Sequence, residues 1–200
     1  MYIWRTLTPE QREELLQFRI NHHRPWHGPP TLFQEGQFHL SAACYEHKHH
    51  VGRSLQRMAD FSQRLLETLE QNKAPIFAWC VLPNHYHLLA ETKALWLLKK
   101  EIGKLHGRTS HEWNQEEDTV GRTVWHRCAD RKIRSEGHYW ATVNYIHNNP
   151  AHHGYVSNWT DWPFSSARDF IEQVGRERAI TIWRDYPVLD YGKGWDDAGL

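Results

Sequence analysis

Residues 81–92 read VLPNHYHLLAET. The run reads as a strand, yet it carries His85 and His87 with only Tyr86 between them. On a strand, positions i and i+2 share a face, so the two imidazoles stand side by side, about 6–7 Å apart at Cα. Tyr86, Leu88 and Ala90 face the other way, toward a core. Two parallel neutral imidazoles can share one divalent cation. Such a centre needs a further ligand, and an open position if it is catalytic. Two histidines on a solvated face are the plainer alternative. The chain has 16 histidines, and His47, His49 and His50 form another group.

The flanking sequence supplies a sheet for this strand. GQFHLSAACYEH (36–47) reads as a strand, and SLQRMADFSQRLLETLEQN (54–72) as an amphipathic helix. Its apolar positions Leu55, Met58, Phe61, Leu65, Leu66 and Leu69 fall roughly on one face. APIFAWCVLP forms a strand pair with HYHLLAET, or one long strand bulged at Pro83 and Asn84. KALWLLKKEIGKLHGRTSHEWNQ reads as a helix fraying near Gly107, and TVWHRCADRKIRS as a strand. EGHYWATVNYIHNNP reads as a helix ending near Pro150, because proline disfavours helix in the residue before it. This order predicts an α+β fold, an antiparallel sheet with helices packed on one face. An N-terminal extension (1–35) precedes the domain (36–170), and a C-terminal tail (171–200) follows it. In the extension, LTPEQREELLQFRI is a candidate helix capped by Thr8, with Pro9 in its first turn, and PWHGPP breaks regular structure. In the tail, DYPVLDYGKGWDD reads as irregular.

Composition narrows the function classes. The 200 residues are 40% hydrophobic and 24% charged, enough for a buried core. No apolar run approaches the roughly 20 residues of a membrane span, and the N-terminus lacks a signal-peptide pattern, so the expected location is the cytoplasm. Cys44, Cys80 and Cys128 form no CxxC pair, so buried reduced thiols are expected. Formal net charge is zero, which argues against a uniformly basic face. A local basic segment does exist: Arg122, Arg127, Arg131, Lys132 and Arg134 fall within 14 residues that hold one acid, Asp130.

Tyr145 and Asn149 are four residues apart, so on a helix they lie one turn apart on the same face. An amide oxygen suits a hard cation. A phenol can act as a nucleophile, although an ordinary one titrates near 10. A nearby cation favours the phenolate and polarises a phosphoryl oxygen. His85, His87 and Asn149 around a metal, with Tyr145 alongside, make a coherent phosphoryl-transfer site. The plain alternatives are a half-buried core tyrosine and a helix C-cap asparagine. Tyr139 is a rival nucleophile, but Val143 stands four residues after it.

PNHYHLL resembles the histidine–bulky residue–histidine motif of HUH endonucleases. NYIHNNPAHHGYV followed by WTDWPFSS resembles the tyrosine helix and downstream segment of REP-associated tyrosine transposases, and VWHRCADRKIRSEGHYW resembles the strand and helix start before that tyrosine. The resemblance covers residues 36–170. It implies a ferredoxin-like fold and cutting of single-stranded DNA beside hairpins of palindromic repeats. It matches His85, His87 and Asn149 to the metal ligands and Tyr145 to the nucleophile, which forms a 5′-phosphotyrosine link. It further implies magnesium or manganese as cofactor, a hairpin-bearing single-stranded DNA partner, and a monomer or dimer.

For DNA contact, the basic segment supplies Arg122, Arg127, Arg131, Lys132 and Arg134, and Trp125 is a candidate base-stacking ring. Three other readings stand beside this one. They are a metal-dependent nuclease that uses water, a non-catalytic nucleic-acid binding module, and a structural domain with surface histidines.

Overall fold

The computed structural model describes Thr8, Glu10, Glu14, Gln17, residues 35–189 and Tyr191. The chain divides into two units, residues 1–33 and 34–200. In the first, Glu10, Glu14 and Gln17 are helical, inside the stretch where a helix was expected. The rest of that stretch and PWHGPP lie outside the described residues, as do residues 190 and 192–200 of the tail.

The second unit is built on four strands, β1 (Gly36–Ala43), β2 (Ile76–Val81), β3 (His85–Thr92) and β4 (Ala129–Lys132). Their spatial order is β2-β3-β1-β4, and every neighbouring pair is antiparallel. The helices are α1 (Leu55–Gln71), α2 (Leu95–Glu116), α3 (Glu136–His152), α4 (Ala167–Val174) and α5 (Arg176–Asp185). None of the described helices is long and apolar enough to cross a membrane.

Strand alternation sorts the side chains into two clusters. Phe38, Leu40, Ala42, Tyr86, Leu88 and Ala90 pack against Met58, Phe61, Leu65 and Leu69 of α1 and Leu98, Ile102 and Leu105 of α2. Each large apolar side chain buried there contributes about 2 kcal/mol before entropy is counted. On the opposite face Ala78, Cys80, Leu82 and Leu89 meet Val143 and Ile146 of α3, Phe170 of α4, and Ala179 and Ile182 of α5. The α+β fold with its antiparallel sheet is the expected one, and α1 and α2 supply the expected helical layer. The second face is covered as well, by the expected helix α3 together with α4 and α5, which fall where no helix is expected from the sequence.

Local details differ from expectation for simple reasons. The buried stripe of α1 starts at Met58; Leu55, the first helical residue, is 73% exposed. α2 runs unbroken through Gly107, because its apolar face keeps packing on both sides of it. β4 is limited to Ala129–Lys132, and Trp125 joins the sheet only through an isolated bridge to Cys44. α3 continues past Pro150 to His152. Proline stands in the last turn, which closes through His153 N to Asn149 O (3.0 Å) and Tyr155 N to Pro150 O (2.9 Å). Asn149 is therefore inside the helix and is not its cap. Cys44 and Cys80 are buried free thiols, and burial pushes Cys44 up to about 12.

Candidate active site

Two close approaches fix the turn before His85. Leu82 N donates to His85 O at 2.8 Å, which makes residues 82–85 a tight β2–β3 turn rather than a bulge. Gly52 lies against this turn and donates its N–H to Pro83 O at 2.8 Å. A Cβ at position 52 would meet Pro83 Cβ at 2.3 Å, so only glycine allows the approach. Asn84 then orients the first histidine. Its Nδ2 donates to His47 O at 3.1 Å, which sets the amide, and its Oδ1 accepts from His85 Nδ1 at 2.7 Å. His85 therefore carries its hydrogen on Nδ1.

The histidine pair is buried, not solvated. His85 is 3% and His87 1% exposed, with ring centroids 5.1 Å apart. β1 adds a third imidazole, His39, which lies outside the predicted set. His39 Nε2 is 3.1 Å from His87 Nδ1. His153, just past α3, sets its ring 5.0 Å from that of His85.

α3 delivers the other two groups. Ser135 caps its start by accepting from His138 N at 3.1 Å. Asn149 Oδ1 lies 2.9 Å from His85 Nε2. One turn earlier, Tyr145 sets its ring edge-on to His87, with centroids 5.0 Å apart. The spacing of Tyr145 and Asn149 thus brings both to the histidine face of the sheet.

The WPFSS segment holds α3 in place. Ser166 Oγ accepts from Trp79 N of β2 at 2.9 Å and lies 2.9 Å from His147 Nε2 of α3. Val81 N donates to Phe164 O at 2.9 Å and Ser166 N to Trp79 O at 3.0 Å, so the segment also covers the outer edge of β2. On the far side, Asn144 Nδ2 donates to Tyr186 O at 2.8 Å, just after α5. His147 is fully buried, which lowers its pKa to about 3 and keeps the ring neutral.

Residues 34–149 match the family model "Transposase IS200 like", a span that includes His39, His85, His87, Tyr145 and Asn149. A REP-associated tyrosine transposase of Escherichia coli is 33% identical over 121 residues, 60% of this chain and 67% of that protein. The chain belongs to the REP-associated tyrosine transposases of the IS200-like family. A Haemophilus influenzae protein, provisionally given the same designation, is 26% identical over 140 residues, 65% of this chain and 78% of that one. A solved REP-associated tyrosine transposase bound to a REP hairpin shares the fold, with a TM-score of 0.57 at 21% identity. The match covers 76% of this chain and 87% of that one.

Of the predicted DNA-contact residues, Arg122 and Trp125 are turned inward. Arg122 is committed inward: its Nε donates to Asn114 Oδ1 at 2.9 Å and its Nη1 to Glu117 Oε2 at 2.8 Å. Burial works to raise the Glu117 carboxyl, but hydrogen bonds and charge from Arg122 and Arg57 outweigh it and hold the group at about 2. Trp125 is half-buried, stacked on His106 at 4.4 Å and on Phe61 at 5.0 Å, with Nε1 donating to Thr109 Oγ1. Both residues shape the α2 side of the molecule. Lys132 Nζ donates to Glu35 O at 3.0 Å. Arg127 and Arg134 are exposed. Arg131 pairs in register with His39, and its guanidinium feels the phenols of Tyr191 and Tyr145. Burial lowers its pKa, and those two phenols act in the opposite direction.

Tyr191 is a second site residue that the sequence did not signal. Its ring packs edge-on against Tyr145 at 5.5 Å and stacks with His39 at 6.4 Å. Its hydroxyl lies 2.6 Å from Thr142 Oγ1 and 3.2 Å from His138 Nε2.

Proposed function

We propose that this protein cuts and rejoins single-stranded DNA beside hairpins, with Tyr145 as nucleophile and a divalent cation held by His85, His87 and Asn149. The main support is one contact. His85 keeps its hydrogen on Nδ1, so the Nε2 lone pair faces the Asn149 oxygen at 2.9 Å. Two acceptors at that distance need something positive between them, or the amide must turn over. Ligands about 2.1 Å from an octahedral cation stand about 3 Å apart when adjacent, which is the spacing found. Asn149 Nδ2 is buried with no hydrogen-bond partner, so the amide is not held by its nitrogen. In this reading the third ligand is a carboxamide rather than a further imidazole or a carboxylate. Asn149 supplies it. Its oxygen, with two imidazoles, suits magnesium or manganese.

A bound cation supplies charge neutralisation at the scissile phosphate. The protein supplies the rest. His85, His87 and Asn149 are buried and held by neighbours, so they need little reorganisation. α3 holds the Tyr145 hydroxyl for in-line attack on phosphorus. The phenol gives its proton to solvent water, the phosphorus–tyrosine oxygen bond forms, and the bond to the 3′ oxygen breaks, with solvent returning a proton to that oxygen. The leaving oxygen thus becomes a 3′-OH, while the 5′ phosphate stays on Tyr145. One phosphodiester replaces another of similar energy, so the step reverses without ATP. The Arg131 guanidinium interacts electrostatically with the Tyr145 phenol and is placed to meet the phosphate that Tyr145 attacks.

Labelled hairpin-flanked single-stranded DNA with wild-type protein tests the reading on a denaturing gel. Manganese is expected to give DNA covalently attached to protein, and EDTA to abolish it. Free cut DNA without attachment would point to the water-using nuclease. Binding without cutting would point to the non-catalytic module. Arg127, Arg131 and Arg134 are the proposed phosphate contacts. Three such contacts predict a slope of about −2 in log K against log salt for single-stranded DNA. A flat salt titration would remove them from the interface.

A further inference from the structure

We propose that His39 is a positioning residue for the metal centre: it accepts the Nδ1 hydrogen of His87 and so reserves Nε2 of His87 for the cation. The proposal rests on the ligand set described above. In β1–β3 pairing, Ser41 lies opposite His87 and His39 opposite Leu89. His39 is thus the diagonal neighbour of His87 on the same sheet face. The ring nitrogens lie 3.1 Å apart, the centroids 5.1 Å apart, and His39 is 3% exposed.

The arrangement repeats the one at His85. Asn84 Oδ1 takes Nδ1 of His85, and His39 Nε2 takes Nδ1 of His87. Both histidines then offer Nε2 to one centre. A metal-ligating histidine commonly donates its other N–H to a neighbouring acceptor, which fixes the tautomer and aims the ring. Amide and imidazole both serve here, since each presents an acceptor lone pair. His39 is itself braced: its ring meets Tyr145 edge-on at 5.8 Å and stacks with Tyr191 at 6.4 Å. One imidazole therefore touches a ligand, the nucleophile and the tyrosine packed beside it. A histidine present only for packing would not need to hold the His87 tautomer.

Two variants and two readouts separate the roles. His39→Phe keeps a ring and removes the acceptor; His39→Gln keeps an acceptor. Histidine-selective ¹⁵N NMR of metal-free protein at pH 8 reads the tautomer, and manganese titration followed by EPR reads affinity. Wild type is expected to show His87 with its hydrogen on Nδ1. His39→Phe should shift that population toward Nε2–H and weaken manganese binding about 10–100-fold. His39→Gln should recover most of both. Wild-type His87 protonated on Nε2 overturns the proposal even if neither variant folds. So does wild-type manganese affinity in a folded His39→Phe. Wild-type protein that shows the Nδ1–H tautomer yet takes up no manganese overturns the centre itself, and with it the role of His39.

Discussion

Tyr145→Phe is expected to lose covalent DNA attachment by roughly 10³-fold or more while binding hairpin DNA as wild type does. The change removes one hydroxyl and keeps the ring, so the edge contacts to His87, His39 and Tyr191 persist. The fold should persist, since the phenylalanine ring fills the space that the buried tyrosine ring occupies. Two other phenols make the assignment testable. Tyr139 lies against Phe77 and Trp140, away from the histidines, and burial raises its pKa. Tyr191 is nearer, but its hydroxyl is engaged by Thr142 and His138, and burial raises its pKa as well. Tyr191→Phe should therefore still form the adduct. An adduct that survives in Tyr145→Phe and disappears in Tyr191→Phe would move the nucleophile to Tyr191.

A second large effect is expected on acidification: folding stability should fall steeply from pH 6.5 toward pH 4. His147 and His106 are buried and neutral, with pKa values lowered to about 3 and about 4, in both cases by burial. Unfolded, each takes up a proton near 6.5. Between that pH and its folded value, each histidine binds more protons in the unfolded chain, so stability drops as pH drops. Each contributes about 1.4 kcal/mol per pH unit in that window. Over two units the pair would cost on the order of 5 kcal/mol, comparable with the whole stability of many domains. The contacts agree with neutral rings. His106 Nε2 lies 3.2 Å from the Tyr86 hydroxyl, and His147 Nε2 lies 2.9 Å from Ser166 Oγ. Urea unfolding at pH 7 and pH 4.5 measures the drop, and His106→Gln should reduce its slope by about half. Equal stability at the two pH values would contradict the buried neutral state. The same loss reaches the site, because His147 and Ser166 hold the helix that carries Tyr145 and Asn149.

The parts of this site that could be read from sequence are those set by local periodicity. A two-residue repeat puts His85 and His87 on one face of β3 and Tyr86, Leu88 and Ala90 on the other. A four-residue step puts Tyr145 and Asn149 on one face of α3. Neither depends on what the rest of the chain does. Periodicity does not say whether a face meets water or protein. The histidine face is buried because α3 lies over it, with α4 and α5 packed alongside in the same cluster, and no local pattern announces that cover.

Partnership across the sheet was beyond sequence for the same reason. His39 sits in GQFHLSAA as one polar residue on a strand, and only the β1–β3 register makes it a neighbour of His87. Tyr191 reaches Tyr145 from a segment 46 residues later in the chain, as their numbering gives. Trp125 and Arg122 carry the same chemistry as exposed DNA contacts, yet packing against His106 and pairing with Glu117 turn them inward. The family motifs and the strand and helix periods determined which residues are chemically able and which share an element's face. Tertiary structure decided which of them meet, because contacts between distant segments follow from strand register and helix packing, and no local pattern encodes either.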